Sequence, residues 1–196
     1  MNKRLPRNFY TQPTLKVAKQ MLGKYLVHGK LVGKIVETEA YIGPEDKASH
    51  AFGNKITKRN KAEWLIGGHI YIYLVYGMYW QLNISTGKEG RPECVLIRAL
   101  EPLIKNKKLN IKDKKHISKI KNLANGPGKL CRWMGFNKSH YGVDVVTSKE
   151  IWLIEGEAIK PSQIIASKRI GIDYAQEWAD KPWRFYIKNN PFVSKI

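Results

Sequence analysis

Residues 70–85 read Ile-Tyr-Ile-Tyr-Leu-Val-Tyr-Gly-Met-Tyr-Trp-Gln-Leu-Asn-Ile-Ser, with strand-like alternation on both sides of a single glycine. This pattern predicts a β-hairpin with Tyr76, Gly77 and Met78 at its tip. Four tyrosines and one tryptophan fall within ten residues of the hairpin. A bulky ring on a projecting tip is one device by which proteins separate stacked bases in a duplex.

The chain is strongly basic: its 196 residues include 35 Lys and Arg against 16 Asp and Glu, a net charge of +19. Such a charge favours polyanionic partners, because their binding releases condensed counterions. We therefore expect nucleic acid as the main partner. An anionic membrane surface ranks second, since no long basic amphipathic helix is evident. Compositional bias toward Lys, Ile and Asn is the remaining explanation of the charge.

The length and a hydrophobic content of 43% suit one domain with its own core, over residues 1–196. No run of eighteen apolar residues occurs, and no apolar segment follows the basic N-terminus, so we expect neither a membrane span nor a signal peptide. Cys94 and Cys131 match no metal-binding spacing, which predicts two buried, reduced thiols.

Helical spacing extends over Thr14–Leu22, with Thr14 as a candidate N-cap and Gly23 as the stop signal. A second helix is predicted over Lys129–Met134, opened by Gly126-Pro127-Gly128. Its N-terminal amides would suit a phosphate, and a plain turn is the alternative.

Two further strands are predicted besides the hairpin. Alternation over Leu31–Ala40 places Ile35, Glu37, Glu39 and Tyr41 on one face if the strand continues. Glu93–Leu100 is a short apolar strand that contains Arg98. Because hairpin signals outnumber β-α-β signals, the sequence predicts a single mixed α/β (α+β) domain with an antiparallel sheet.

Two polar segments are predicted to be loops. Residues Gly43–Lys61 are polar and rich in turn formers. Residues Lys105–Lys121 hold eight lysines and one aspartate, a composition that favours a solvated, mobile loop over a dedicated DNA-contacting element.

Glu37 and Glu39 flank Thr38 in an otherwise apolar strand. Burying a carboxylate is costly without a partner, so at least one of them should face a cleft or a cation. A solvated strand face is the alternative for each. A buried carboxylate with a raised pKa could activate water as a general base. The residue pattern does not choose between the two.

Arg98 also needs a partner, because arginine is almost never fully buried alone. Glu37 or Glu39 on a neighbouring strand could supply it. Such a pair could be a purely structural ion pair. If it lies beside a cavity, it could instead bind the water molecule that a hydrolase requires. Asn83, on the polar parity of the second hairpin strand, could present an amide to a base edge in that cavity.

Several kinds of chemistry lack their motifs. The sequence has no nucleophile elbow, no phosphate-binding glycine loop and no Cys-x-x-Cys pair. The five histidines, which are His28, His50, His69, His116 and His140, show no metal-binding spacing. We therefore expect no cofactor and no metal.

Longer motifs carry a family resemblance. Glu37–Asp46 reads Glu-Thr-Glu-Ala-Tyr-Ile-Gly-Pro-Glu-Asp, and His50 and Thr57-Lys58-Arg59-Asn60 follow. Five further motifs follow at Tyr71–Tyr79, Asn83–Ser85, Val95–Pro102, Gly126–Cys131 and Lys181–Tyr186. In these motifs and their order, the chain resembles the alkyladenine (3-methyladenine, methylpurine) DNA glycosylase family.

The resemblance implies a monofunctional hydrolase of base excision repair. Such an enzyme flips a damaged purine (3-methyladenine, 7-methylguanine, hypoxanthine or a related lesion) out of duplex DNA and leaves an abasic site. It implies a curved sheet, flanking helices, a protruding hairpin and no cofactor. A non-catalytic nucleic-acid-binding domain is the alternative. The absence of sorting signals leads us to expect a cytoplasmic protein, associated with the nucleoid through DNA, and the size of the chain suits a monomer.

The resemblance also assigns roles to residues. It implies that Glu39 is the general base and that Arg98 lies beside it and the water. It implies that the pocket for the flipped base is formed by Tyr41, His50, Tyr73 and Asn83. It implies that the residues that intercalate into DNA are Tyr76, Met78 and Tyr79. It implies that the residues that contact the DNA backbone are Lys55, Thr57 and Arg59.

The chain departs from the family pattern at one place. Family members commonly have Met-Phe where this chain has Glu63-Trp64. We expect the carboxyl group to alter packing near the pocket or to repel a phosphate. Lys105–Lys121 corresponds to a variable region, so no role is implied for it.

Overall fold

A computed structural model of the chain describes residues 3–103 and 120–194. Its main feature is an eight-stranded, curled, antiparallel sheet in the order β3-β4-β5-β2-β1-β6, with β8 pairing with both β2 and β7. The strands are β1 Tyr25–His28, β2 Leu31–Ile42, β3 Ile70–Val75, β4 Tyr79–Ser85, β5 Glu93–Pro102, β6 Ile151–Ile154, β7 Ile164–Ser167 and β8 Arg184–Ile187. The predicted mixed α/β class is confirmed.

Few helices accompany this sheet. The α-helices whose bounds fall within the described residues are α1 Arg7–Tyr10, α2 Thr14–Met21 and α3 Pro127–Met134. Short 3-10 helices cover Phe52–Asn54, Lys61–Trp64, Lys138–His140, Pro161–Gln163 and Asp173–Trp178. Within the described ranges, no helix has the length and apolar character needed to cross a membrane. Cys94 and Cys131 are buried, free cysteines, as predicted.

Strand β2 organises the sheet because both of its edges are paired. One edge pairs with β5, and the other pairs first with β1 and then, at Glu37–Glu39, with β8. Register shifts against β5 lie between Ile35 and Glu37 and between Glu37 and Thr38. Such a bulge breaks strict alternation. Ile35 and the next residue, Val36, both lie in the main hydrophobic core, so strict alternation does not extend from Ile35 to the two glutamates.

Helix α2 covers one face of β2, where Thr38 Oγ1 donates a hydrogen bond to the Ala18 carbonyl over 2.9 Å. The helix ends at Met21, one residue earlier than predicted, and the predicted stop signal, Gly23, follows with a φ of +83°. The prediction of Thr14 as N-cap is wrong, because Pro13 holds that position. The buried Thr14 hydroxyl instead forms hydrogen bonds with Thr86 and Glu93, so it joins the helix to the sheet.

The predicted hairpin is confirmed by the register of β3 and β4, which pairs Ile70 with Ile84 and Val75 with Tyr79. Tyr76 and Gly77 both adopt positive φ angles, of 51° and 67°. The Met78 amide closes the turn by donating to the Val75 carbonyl over 3.0 Å. Two successive left-handed residues match the twist of the paired strands.

The remaining loop predictions have mixed outcomes. The segment predicted as a loop over Gly43–Lys61 is turn-rich; it contains the 3-10 helix Phe52–Asn54, and its last residue begins a second one, Lys61–Trp64. The lysine-rich segment predicted over Lys105–Lys121 lies outside the described residues, except for its last two positions. Helix α3 begins at Pro127, two residues earlier than predicted, and Gly126 is its N-cap.

Candidate active site

Arg98 joins the two candidate carboxylates, because β5 lies beside β2 in the sheet. Its Nε is 3.0 Å from Glu37 Oε1 and its Nη1 is 3.2 Å from Glu39 Oε1. Burial alone would lower the pKa of Arg98, but the charges of Glu39 and Glu37 more than offset burial and raise that pKa. The predicted partnership of Arg98 with a neighbouring strand is therefore confirmed for both glutamates.

Glu37 is fully engaged by its neighbours. Besides Arg98, Oε1 accepts from Arg184 Nε at 2.7 Å and from the Ser194 hydroxyl at 2.8 Å. Oε2 accepts from the Ser194 amide at 2.7 Å. A carboxylate with two arginines and two further donors is a structural ion pair.

Glu39 has fewer charged partners and lies at the edge of an aromatic pocket. Its Oε1 accepts from the Ile170 amide at 2.9 Å, besides contacting Arg98, and its Oε2 accepts from the Tyr41 hydroxyl at 2.9 Å. An ionised carboxylate oxygen can accept two hydrogen bonds, so Oε2 retains capacity for a water molecule. The geometry thus separates two glutamates that the sequence pattern left equivalent.

The pocket beside Glu39 is lined by side chains from β2, the following loop, β3, β4 and β5. These residues are Tyr41, Ala48, His50, Glu63, Tyr71, Tyr73, Asn83 and Cys94. The structure brings together all four predicted base-pocket residues. It adds Ala48, Tyr71 and Cys94, which sequence reasoning did not assign to the pocket, and it places Glu63, expected near the pocket, in the pocket wall. Tyr71 could have been predicted from the sequence, because residues two positions apart on a strand, such as Tyr71 and Tyr73, lie on the same face.

The pocket is closed in this structure. The cavity measures about 10 Å³, room for about one water molecule. His50 and Tyr73 meet edge to face with ring centroids 4.7 Å apart, and Tyr71 and Tyr73 are 5.1 Å apart. A purine would therefore enter only if these rings separate.

His50 is neutral in this environment. Burial, and then the nearby charge of Arg59, lowers its pKa to about 4. Its Nδ1 lies 2.6 Å from the Tyr71 hydroxyl. This contact fixes the ring and leaves the other ring nitrogen for a ligand.

Asn60 is a further residue that sequence reasoning did not assign. It is fully buried, and its Nδ2 donates to the carbonyls of His50, at 3.0 Å, and Lys55, at 2.8 Å. Its Oδ1 accepts from the Thr57 amide at 2.7 Å. Asn60 thereby holds the loop that carries His50 and the predicted DNA-backbone residues.

The three predicted DNA-backbone residues share this loop but differ in exposure. Lys55 and Arg59 are exposed, whereas Thr57 is partly buried and donates its hydroxyl to Asn60. The Arg59 guanidinium lies 4.7 Å from the centre of the Tyr73 ring. The loop therefore connects a basic surface directly to a pocket wall.

A buried ion pair supports the other side of Glu39. Arg169 binds both oxygens of Asp46, donates to the Ala40 carbonyl at 3.0 Å and lies over the Tyr41 ring at 4.7 Å. The next residue, Ile170, supplies the amide that binds Glu39. Neither Arg169 nor Asp46 was singled out from the sequence, because their contact spans more than 120 residues.

The predicted intercalating residues lie at the hairpin tip. Tyr76 is 86% exposed and Met78 is 65% exposed. Tyr79 is less exposed, and a Cβ atom on Gly128 would come within 2.9 Å of its ring. The start of α3 therefore packs under the hairpin, next to the exposed tip.

Two other features lie away from the pocket. One nitrogen of His28, one nitrogen of His140 and a carboxylate oxygen of Glu150 come within 4.8 Å of one another, a grouping that the histidine spacing did not reveal. A cavity of about 640 Å³ lies between α2 and β7 and shares no residue with the aromatic pocket.

Comparison with known proteins gives a consistent result. A family model described as "Methylpurine-DNA glycosylase (MPG)" matches residues 8–191. Curated relatives in Alkaliphilus oremlandii and Methanocella arvoryzae are each 48% identical, over 98% and 97% of this chain and 99% and 96% of their own lengths. A relative in Bacillus cereus is 47% identical over 97% of this chain and 98% of its own length. All three are named "Putative 3-methyladenine DNA glycosylase". The chain belongs to the methylpurine-DNA glycosylase family.

Proposed function

We propose that this DNA glycosylase removes damaged purines from duplex DNA by base flipping and Glu39-assisted hydrolysis. The enzyme class, a hydrolase of N-glycosyl bonds, follows from family membership. The substrates that we propose are 3-methyladenine, 7-methylguanine and hypoxanthine. We expect a monomer that acts on DNA in the cytoplasm.

One observation carries the proposal: the fully buried carboxylate of Glu39 accepts a hydrogen bond from Tyr41, which lines a pocket walled by aromatic rings. Arg98 and the Ile170 amide fix one of its oxygens, and Tyr41 contacts the other. Tyr41 also lines the pocket, so the carboxylate adjoins the space for a base.

In the proposed reaction, Glu39 accepts a proton from water as the water oxygen bonds to C1′ of the sugar. The bond from C1′ to the base nitrogen breaks, and its electron pair leaves with the base. The carboxylate also stabilises positive charge that develops on the sugar. Arg98 acts as a positioning residue, since it orients Glu39 without needing to contact substrate.

Base flipping precedes this step, because C1′ of a stacked purine is not accessible to attack. Unstacking costs on the order of a few kcal/mol, least for a damaged base. Tyr76 would offset part of that cost by filling the vacated space, with Met78 and Tyr79 beside it. Lys55, Thr57 and Arg59 would contact the DNA backbone near the pocket.

Selection of the base would follow from the pocket walls. Alkylation at N3 or N7 gives the purine a positive charge, and stacking among Tyr41, His50 and Tyr73 favours such a ring. Asn83 would crowd the exocyclic amino group of normal guanine. Among the described residues, no lysine lines the pocket, so we expect base release without strand cleavage.

The test is base release from a duplex oligonucleotide that carries hypoxanthine or an alkylated purine, followed by alkali. We expect alkali-dependent cleavage by the wild type. We expect at least a hundredfold loss in Glu39→Gln with DNA binding kept, as for removal of a general base. DNA binding without base release from several lesions would instead favour a non-catalytic nucleic-acid-binding domain.

A further inference from the structure

Glu63 places a carboxyl group in the pocket that the proposed reaction does not use. The residue is only 2% exposed, and it lines the same cavity as His50 and Asn83. Its Oε1 accepts a hydrogen bond from the Cys94 thiol at 3.3 Å. Its Oε2 is buried and has no hydrogen-bond partner in the described structure. A polar atom left in this state has an unmet need for a partner.

The carboxyl group of Glu63 is protonated at neutral pH. Burial raises its pKa to about 8, although the Cys94 thiol and the charge of Arg59 each oppose this rise. A protonated carboxyl group is a hydrogen-bond donor, in contrast to an ionised one. The sequence-based alternative that Glu63 repels a phosphate therefore does not hold, since the group is both buried and uncharged.

The other titratable groups around Glu63 keep their protonation state near neutrality. From β3, Tyr71 and Tyr73 have pKa values raised mainly by burial, and burial also raises the pKa of Cys94 on β5. Tyr141 shows a raised pKa for the same reason.

Two other neighbours belong to the loop before Glu63. Burial and the nearby guanidinium of Arg59 lower the pKa of His50 to about 4. Strand β4 contributes Asn83, which does not titrate. Among the described residues that line the cavity, Glu63 is the one whose pKa burial raises to about 8.

We propose that Glu63 is a specificity-determining residue, whose Oε2 donates a hydrogen bond to the flipped base and favours uncharged purine lesions over cationic ones. This inference rests on the proposed function, because it assigns a substrate preference to the same pocket.

The preference follows from where charge goes when the base departs. An uncharged purine, such as hypoxanthine, leaves with the electron pair of the glycosidic bond and becomes anionic. A donor on its acceptor edge stabilises that charge as it develops. A cationic purine, such as 7-methylguanine, leaves as a neutral molecule, so a donor gives it little help. Glu63 therefore assists one class of lesion more than the other.

The experiment compares single-turnover release of hypoxanthine and 7-methylguanine by the wild type, Glu63→Met and Glu63→Gln. Methionine fills similar volume without a donor, whereas glutamine keeps a donor that does not titrate. We expect the rate ratio of hypoxanthine to 7-methylguanine to fall about 10- to 100-fold in Glu63→Met. In Glu63→Gln, we expect it to stay within a few-fold of wild type. The exposed Glu89→Gln is the matched surface control.

The pH profile provides a second readout. The wild-type ratio should fall as pH rises from about 6 to about 9, because Glu63 loses its proton in this range. We expect Glu63→Gln to lack this component.

Three outcomes contradict the inference in different ways. If Glu63→Met leaves the ratio of hypoxanthine to 7-methylguanine release rates unchanged, whether or not both rates fall, the preference is overturned while the glycosylase function stands. A pH profile of Glu63→Gln identical to that of wild type overturns the donor role. Failure of the wild type to release either base overturns the proposed function itself, and the inference with it.

Discussion

At the scale of single residues, Glu37 and Glu39 show how two positions on one strand acquire different roles. Both touch Arg98, but Glu37 also binds Arg184 and Ser194, whereas Glu39 binds the Tyr41 hydroxyl beside the pocket. Glu37, which binds two arginines, has the structural role. Glu39, which has fewer fixed partners, is the carboxylate that remains available for chemistry.

Replacing Glu37 should therefore cost stability. In Glu37→Gln, two buried arginines lose their shared countercharge, so we expect the free energy of unfolding to fall by about 3 kcal/mol or more. Urea unfolding, with Glu39→Gln measured in parallel, tests this. A stable Glu37→Gln that has lost turnover, beside an active Glu39→Gln, would reverse the two assignments.

Glu63 predicts a second effect at this scale, on stability rather than on selectivity. Its pKa is raised from an ordinary 4.5 to about 8 in the folded chain. Between these values the folded state holds a proton that the unfolded state has released, so stability falls as pH rises. The slope approaches about 1.4 kcal/mol per pH unit.

The measurement is the free energy of unfolding at several pH values for wild type and Glu63→Gln. The variant lacks this titration, so its stability relative to wild type should rise steadily between pH 4.5 and about 8. A constant difference across that range would show that Glu63 is ionised in the folded protein.

At the scale of elements, the hairpin tip combines exposure with an unfavourable backbone. Tyr76 adopts a φ of +51° although it is a bulky residue and 86% exposed. The left-handed region costs such a residue roughly 1–2 kcal/mol. No packing recovers that cost for an exposed ring, which is consistent with a functional reason for tyrosine at this position.

Tyr76→Asn separates the two properties, because asparagine tolerates the left-handed region but has no ring. We expect an unchanged or slightly higher melting temperature, and release of the damaged base slowed about tenfold, as for loss of one stacking contact. Thermal unfolding and single-turnover release measure the two effects. Undiminished release by a well-folded Tyr76→Asn would rule out the wedge role.

At the scale of the whole molecule, a net charge of +19 makes DNA affinity a function of salt. Each phosphate contact contributes about −0.9 to the slope of log K against log salt. Lys55 is exposed on the loop that carries His50, so Lys55→Ala should reduce the steepness of this slope by about 1. Titration of an undamaged duplex at several salt concentrations measures it, with exposed Lys30→Ala on the β1–β2 turn as the comparison. Equal slopes for Lys55→Ala and wild type would exclude a phosphate contact.

The sequence by itself determined the features that depend on near neighbours. Residues 70–85 specify the hairpin through their alternation and Gly77, and Gly23 specifies the end of α2. Motif order was sufficient to indicate the family and the set of pocket residues that includes Tyr73 and Asn83. These features can be predicted from the sequence because turn geometry, strand period and motif spacing depend on residues that are close together in the chain.

Only the tertiary structure decided which side chains meet across distant segments. Contacts from Arg184 and Ser194, more than 140 residues away, distinguish Glu37 from Glu39. Tertiary contacts also decide the state of Glu63: its segment packs beside Cys94, which binds one carboxyl oxygen and leaves the other buried without a partner in the described structure. Burial and partner choice set the charge and role of each carboxyl group, and both depend on contacts between segments far apart in the chain.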